Sequence, residues 1–216
     1  MIKTHSLVRR FDGFTIISYD DYVFEDGKSY VMLGASGCGK STFLNMLAGV
    51  LSPSEGNVEI DGVNMTALSQ HQRDSFRAAN VGYIFQDFRL LEDMSVQDNI
   101  DILKLEGVDV SRSGALLKEL GILSKRGRRV AQLSGGEKQR VAIARALVKQ
   151  PSFILADEPT GNLNYAIGRK VTEELLKAAR GKTLICVTHD DRLSELFDVV
   201  IDMNELAHAE ECDTNA

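Results

Sequence analysis

"GASGCGKST", Gly34 to Thr42, is the stretch on which the reading of the fold turns. It fits the pattern G-x-x-x-x-G-K-[ST] of a phosphate-binding loop. The apolar run "KSYVML" before it predicts a strand. "STFLNMLAGV" after it predicts a helix that stops at Gly49, with Pro53 beyond. Strand, glycine turn and helix start are the context such a loop requires. Glycines let backbone N–H groups curl round an anion without Cβ clashes. Lys40 supplies a point charge for the β- and γ-phosphates, and Ser41 a hydroxyl ligand for Mg2+. The helix N-terminus adds its partial positive charge. Gly34, Ser36, Gly37, Cys38, Gly39, Lys40, Ser41 and Thr42 are therefore the candidate nucleotide-binding residues of this loop. Cys38 reads as a small space-filler, since nothing nearby marks a resolving thiol.

Working outward, strands alternate with helices. "NVEIDGVNM" carries an Asp-Gly hairpin turn, and "SQHQRDSFRAAN" predicts a surface helix. "VGYIF" predicts a strand ending at Gln86. From 87 to about 130 helical pieces dominate, "SVQDNIDILKL" and "GALLKELGI", which reads as a small helical insert. A helix over 137–149, the strand "SFILA", a helix over 167–179 and the strand "TLICVT" complete the pattern. Such alternation implies an α/β fold with a mainly parallel sheet. The acidic last dozen residues predict a loosely held tail.

More candidates sit at strand ends. In "FILADEP", Asp157 is the expected outer partner of Mg2+, and Glu158 is suited to polarise an attacking water as general base. His189 follows the apolar strand "LICVT". In a parallel α/β sheet, ligands sit outside the carboxyl ends of the strands. Lys40, Glu158 and His189 all follow such ends, so they can converge on one γ-phosphate. Gln86 closes another strand, and its amide can touch Mg2+ or water while the loop behind it moves.

"LSGGEKQR", Leu133 to Arg140, is a second glycine-rich turn running into a helix. Ser134 and Glu137 make a capping box, which needs no function to explain it. Arg140, Arg145 and Lys149 beyond it read as a solvated face. Two successive glycines are a poor choice for a cap alone, because they cost helix stability and bare the backbone. A bare backbone at a helix start suits close approach by an anion.

Bulk properties narrow the class. With 216 residues the chain fits one sizeable domain. A formal charge of −6 argues against a nucleic-acid footprint. Cys38, Cys186 and Cys212 suggest neither a disulfide framework nor a zinc site, and point to a reducing compartment. No apolar run approaches the ~18 residues that span a bilayer. "MIKTHSLVRRF" lacks the apolar segment of a signal peptide.

Taken in chain order, the loop 34–42, Gln86, LSGGE at 133–137, ILADEP at 154–159 and His189 resemble the ATP-binding subunits of ABC transporters. The resemblance covers residues 1–204. "SPSEGNVEIDG", "FRAANVGYIFQDFRLL", "QLSGGEKQRVAIARAL" and "ILADEPTGNL" are similar to the lipoprotein-release, macrolide-export, haem-export and cell-division ATPases. The resemblance implies a P-loop NTPase core over about 1–86 and 136–204, with an N-terminal antiparallel β portion. A helical subdomain over about 87–135 and a tail over 205–216 complete the organisation. It implies ATP and Mg2+ as cofactors, Mg2+ being held by Ser41, Gln86 and Asp157. It implies a homodimer in which each ATP lies on one copy's phosphate loop and is covered by Ser134, Gly135, Gly136 and Glu137 of the other. It implies that Phe11 is the aromatic that stacks on adenine, with Phe14 as the weaker candidate. It implies that the insert after Gln86 forms a groove for a permease-like membrane subunit, which would put the chain on the cytoplasmic face of the cell membrane.

One position departs from the family pattern. After "ADEPTGNL" relatives usually carry aspartate at the dimer seam, and this chain has Asn164. With Glu158 and His189 intact, the expectation is tuned coupling between the two sites. Unchanged hydrolysis and cooperativity in Asn164→Asp excludes it. The leading reading is a motor subunit of a membrane complex. The alternative is a cell-division regulator that signals across the membrane without transport. A chromosome or DNA-repair ATPase needs a long coiled coil that the insert cannot hold, and a translation-type ABC protein needs two sets of motifs.

Overall fold

The computed structural model describes residues 1–11 and 15–211. The chain opens with strands β1 (Ile2–Phe11), β2 (Thr15–Tyr19) and β3 (Tyr22–Phe24). Strand β4 (Ser29–Leu33) then delivers it to the phosphate loop and helix α1 (Lys40–Leu47). A hairpin of β5 (Glu55–Ile60) and β6 (Val63–Asn64) turns on Asp61 and Gly62, at φ +50° and +80°. Two left-handed turn residues are the geometry an Asp-Gly pair favours. Helix α2 (Gln70–Asn80) starts on a Ser69–Gln72 capping box and buries none of its residues, as a surface helix should. Strand β7 (Val81–Ile84) then leads to Gln86.

The insert is helical, as expected: α3 (Val96–Asp101), α4 (Ser113–Glu119) and short 3-10 turns. Helix α5 (Gly135–Leu147) begins two residues before the expected 137, directly after Ser134, the N-cap that the capping box predicts. Strand β8 (Phe153–Asp157), helix α6 (Tyr165–Ala178) and strand β9 (Thr183–Thr188) follow. The chain ends on β10 (Val199–Asp202), α7 (Met203–Leu206) and β11 (Ala207–Glu211).

Two sheets result. One is parallel throughout, in the order β10-β4-β9-β8-β7. The other is antiparallel, in the order β11-β2-β1-β5-β6, with β3 against β1. Residues 207–211 differ from the expected loose tail. They form β11, which pairs antiparallel with β2 over five residues and so covers its edge. The acidic composition hid this because an edge strand keeps one face in solvent and needs little apolar character there.

All six residues of β9 are buried, and alternate side chains serve different cores. Leu184 and Cys186 join a core with α5, α6 and the insert residues Ile100 and Leu117. Ile185 and Val187 join a second core with α1 and the antiparallel sheet. A sheet covered on both faces explains why "TLICVT" and "FILA" read as unbroken apolar runs.

Candidate functional site

Strand register sets the site. Leu33 on β4 lies opposite Thr188 on β9, Val187 opposite Asp157 on β8, and Ala156 opposite Ile84 on β7. The four strands therefore end at one edge. Gly34, His189, Glu158 and Gln86 step off that edge side by side.

In the phosphate loop, Gly37 and Gly39 hold φ of +86° and +95°, which side chains rarely adopt. Gly39 is the N-cap of α1 and supplies no side-chain cap, so the first helical N–H groups stay available. The Lys40 ammonium folds back over the loop and donates to the carbonyls of Gly34 (2.7 Å) and Ala35 (2.8 Å). Cys38 Sγ lies 3.9 Å from it. Tyr19, which the sequence reading missed, pins the loop from β2. Its hydroxyl donates to the Gly39 carbonyl at 2.9 Å, and a Cβ at Gly39 would lie 2.6 Å from that hydroxyl. Burial pushes the Tyr19 phenol up, so it stays a proton donor.

Ser41 Oγ donates to Asp157 Oδ1 at 2.9 Å. Burial raises the Asp157 pKa, opposed by the Ser41 hydrogen bond and assisted by the neighbouring Glu158 charge. Glu158 stands in the left-handed region at φ +46°, uncommon for a residue with a side chain. Its Oε2 meets His189 Nδ1 at 2.5 Å. A carboxylate partner makes Nδ1 the protonated nitrogen and leaves Nε2 for a second contact. Glu158 is mostly covered (14% exposed) and His189 open (60%), so the imidazole is the group with freedom to turn. Gln86 is exposed beside them. A Cβ on Gly161 would lie 3.0 Å from Gln86 Nε2 and 3.3 Å from Glu158 Oε2.

The second glycine turn differs from its reading in one respect. The capping box is present: Ser134 N donates to Glu137 Oε2 at 2.9 Å, and Ser134 Oγ accepts from Glu137 N. Glu137 also pairs with Lys125 at 3.0 Å, and both partners hold its carboxyl below the usual range. The paired glycines have a packing reason as well. A Cβ on Gly135 would lie 3.0 Å from Leu163, and one on Gly136 2.8 Å from Ile167. None of the hydrogen bonds or ion pairs of 134–137 reaches the phosphate loop among the described residues.

Arg140 and Arg145 of α5, and Lys149 just beyond its end, are not a solvated face. Arg140 pairs with Glu174 at 2.6 Å, Arg145 donates to the carbonyls of Phe88 and Arg89, and Lys149 to those of Arg77 and Ala78. Asn164 is the N-cap of α6, its side chain accepting from Ile167 N at 3.0 Å. Asparagine and aspartate cap about equally well, so the helix tolerates either. The Arg9 guanidinium lies 5.3 Å from the centre of the Phe11 ring. Phe14 lies outside the described residues.

With this geometry in place, the comparisons with known proteins are specific. Residues 20–161 match the family model described as ABC transporter. The chain belongs to the ABC transporter family. The lipoprotein-releasing system ATP-binding protein LolD 1 of Rhodopirellula baltica is 40% identical over 185 residues, 81% of each chain. An uncharacterised ABC transporter ATP-binding protein of Mycobacterium tuberculosis is 38% identical over 195 residues, 87% of this chain and 79% of that one. The ATP-binding cassette MJ0796, solved as a dimer, matches with a TM-score of 0.83 at 30% identity over 98% of each chain. The same cassette in a dimeric post-hydrolysis state bound to ADP and Pi matches with a TM-score of 0.81 at 32% identity.

This member of the family is an ATP-binding, ATP-hydrolysing motor subunit of an ABC transporter-type membrane complex. The relatives carry transporter names, which favours the motor reading over the cell-division alternative. No helix among the described residues is long and apolar enough to cross a membrane.

Proposed function

We propose that two copies of this chain close head-to-tail over two ATP molecules, each site being completed by the other copy's Ser134, Gly135 and Gly136. One observation carries the reading. Lys40, Ser41, Asp157, Glu158, His189 and Gln86 gather at one sheet edge, while the second glycine turn bonds only within its own surroundings. The dimeric state of MJ0796 supports it.

In this reading the backbone N–H groups of 37–42 and the Lys40 ammonium hold the phosphates. Phe11 stacks on adenine. Ser41, Asp157 and the Gln86 amide would hold Mg2+, a hard-oxygen donor set that fits the Ser41–Asp157 contact. The metal, when bound, neutralises charge on the β- and γ-oxygens. Glu158 takes a proton from the water that attacks the γ-phosphorus, the bridging P–O bond breaks, and ADP keeps that electron pair. His189 releases Glu158 and turns its imidazole toward the γ-phosphate.

The work reaches permease-like membrane subunits on the cytoplasmic face of the cell membrane. A groove of about 630 Å³ beside Gln86 suits them, lined by Val50, Phe85, Ile102, Leu103, Arg145 and Lys149. Glu158→Gln removes the base and keeps the site's shape. It is expected to trap an ATP-bound dimer, read by light scattering, while hydrolysis falls by about 10²–10⁴-fold. A variant that stays monomeric at saturating ATP, with or without the membrane partner, rules the composite site out.

A further inference from the structure

The loop behind Gln86 is held from outside. Phe88 and Arg89 stand at φ +60° and +48°, consecutive left-handed residues that carry side chains. Such backbone persists only where its surroundings over-determine it. Two anchors do so. From α5, Arg145 donates to the carbonyls of Phe88 (2.9 Å) and Arg89 (2.5 Å). From the loop after Glu158, Asn162 Nδ2 donates to the Gln86 carbonyl at 3.0 Å.

The second anchor bears directly on chemistry. Gly161, next to Asn162, leaves just enough room for the Gln86 amide and the Glu158 carboxylate together. Gly161 N also donates to the Glu158 carbonyl at 3.1 Å. On its other side, Leu163 packs against Gly135. Three consecutive residues thus touch Glu158, Gln86 and the second glycine turn. We infer that Asn162 is a positioning residue: it fixes the Gln86 amide relative to the Glu158 carboxylate. The inference rests on the role proposed above for Gln86.

Asn162 is exposed, so its replacement leaves the core untouched. Asn162→Asp keeps the size, removes the donor and faces a carboxylate toward the Gln86 carbonyl. Misplacement of this kind costs on the order of tenfold in turnover. The expected result in the full chain is about a tenfold loss of kcat, with nucleotide affinity of the monomer within about twofold of the wild type. Amide exchange at Phe88 and Arg89 should rise about fivefold without change in β8 or β9. In a Gln86→Ala background Asn162→Asp should cost almost nothing more, because both changes remove the same arrangement. Asn162→Ala, which loses the donor without adding charge, should reproduce the exchange effect. An unchanged kcat, or a full tenfold loss repeated in the Gln86→Ala background, overturns the inference while leaving the role of Gln86 intact. If Gln86→Ala alone leaves kcat unchanged, the proposed role of Gln86 fails, and the inference with it.

Discussion

Two glycine turns start helices in this chain, and they are built in opposite ways. At 34–42 Gly37 and Gly39 take left-handed backbone, and the helix has no side-chain cap. A buried lysine makes do with two backbone carbonyls. At 133–137 neither glycine is left-handed, a reciprocal capping box satisfies the helix start, and the carboxylate of the box is also paired. The first turn has donors without strong acceptors, the condition of a site that binds its own anion. The second is satisfied inside its own subunit. What it presents outward is the exposed Ser134 and the half-buried Gly135; Gly136 is buried, and the two glycines pack against Leu163 and Ile167. On the proposed reading, similar composition serves a binding pocket in one place and a contact surface in the other.

The contrast is open to mutation, and the largest effect belongs to the first turn. Lys40→Ala should weaken ATP binding to the isolated subunit by at least about a hundredfold, since a buried charge-assisted contact to phosphate is lost. Equilibrium binding of a fluorescent nucleotide measures it. Gly136→Ala should leave that affinity within about twofold, yet lower hydrolysis by about tenfold or more. It should also lower the melting temperature by a few degrees, because the new Cβ crowds Ile167. Adding Ile167→Ala separates the two reasons for the glycine. Melting temperature should recover while hydrolysis stays low. Recovery of both would make Gly136 a packing residue alone and erase the contrast.

A smaller effect is expected from Tyr19→Phe, which removes the buried donor to the Gly39 carbonyl. The stability cost is about 1 kcal/mol, and nucleotide affinity should fall about three- to tenfold. Unchanged affinity would mean that the loop holds its shape without β2.

The smallest effect concerns Asp157. Burial raises its folded pKa above the ordinary aspartate value. A raised acid adds stability below its unfolded pKa and loses it as pH rises through the folded one, so at neutral pH the ionised carboxylate weighs against the nucleotide-free fold. Asp157→Asn should therefore raise the melting temperature of the nucleotide-free chain by about 1–2 °C at pH 7, and by less at pH 4. A drop at pH 7 would show that the Ser41 hydrogen bond outweighs burial.

Much of this was legible in the linear order of residues. The strand–loop–helix context of 34–42, the apolar runs ending at Asp157 and Thr188, and the turn at Asp61–Gly62 all rest on local preferences that act within a few residues. The sites missed depend on partners far along the chain. Tyr19 is one aromatic in a strand until it meets Gly39, and Asn162 looks like a turn residue until it meets Gln86. Arg145 and Lys149 share a charged pattern with any exposed helix face, and only the packing of α5 and the residues just after it turns them toward backbone carbonyls. The strand β11 escaped because edge pairing uses backbone groups, which every sequence has.

Sequence alone determined the family's motifs, their order and the α/β alternation, because glycine, charge and periodicity impose their effects locally. Tertiary structure decided which of these groups touch. Parallel register brought four strand ends to one edge, and the loop after Glu158 tied that edge to the second glycine turn. Contacts between residues tens of positions apart depend on how whole elements pack, and no local pattern encodes that distance.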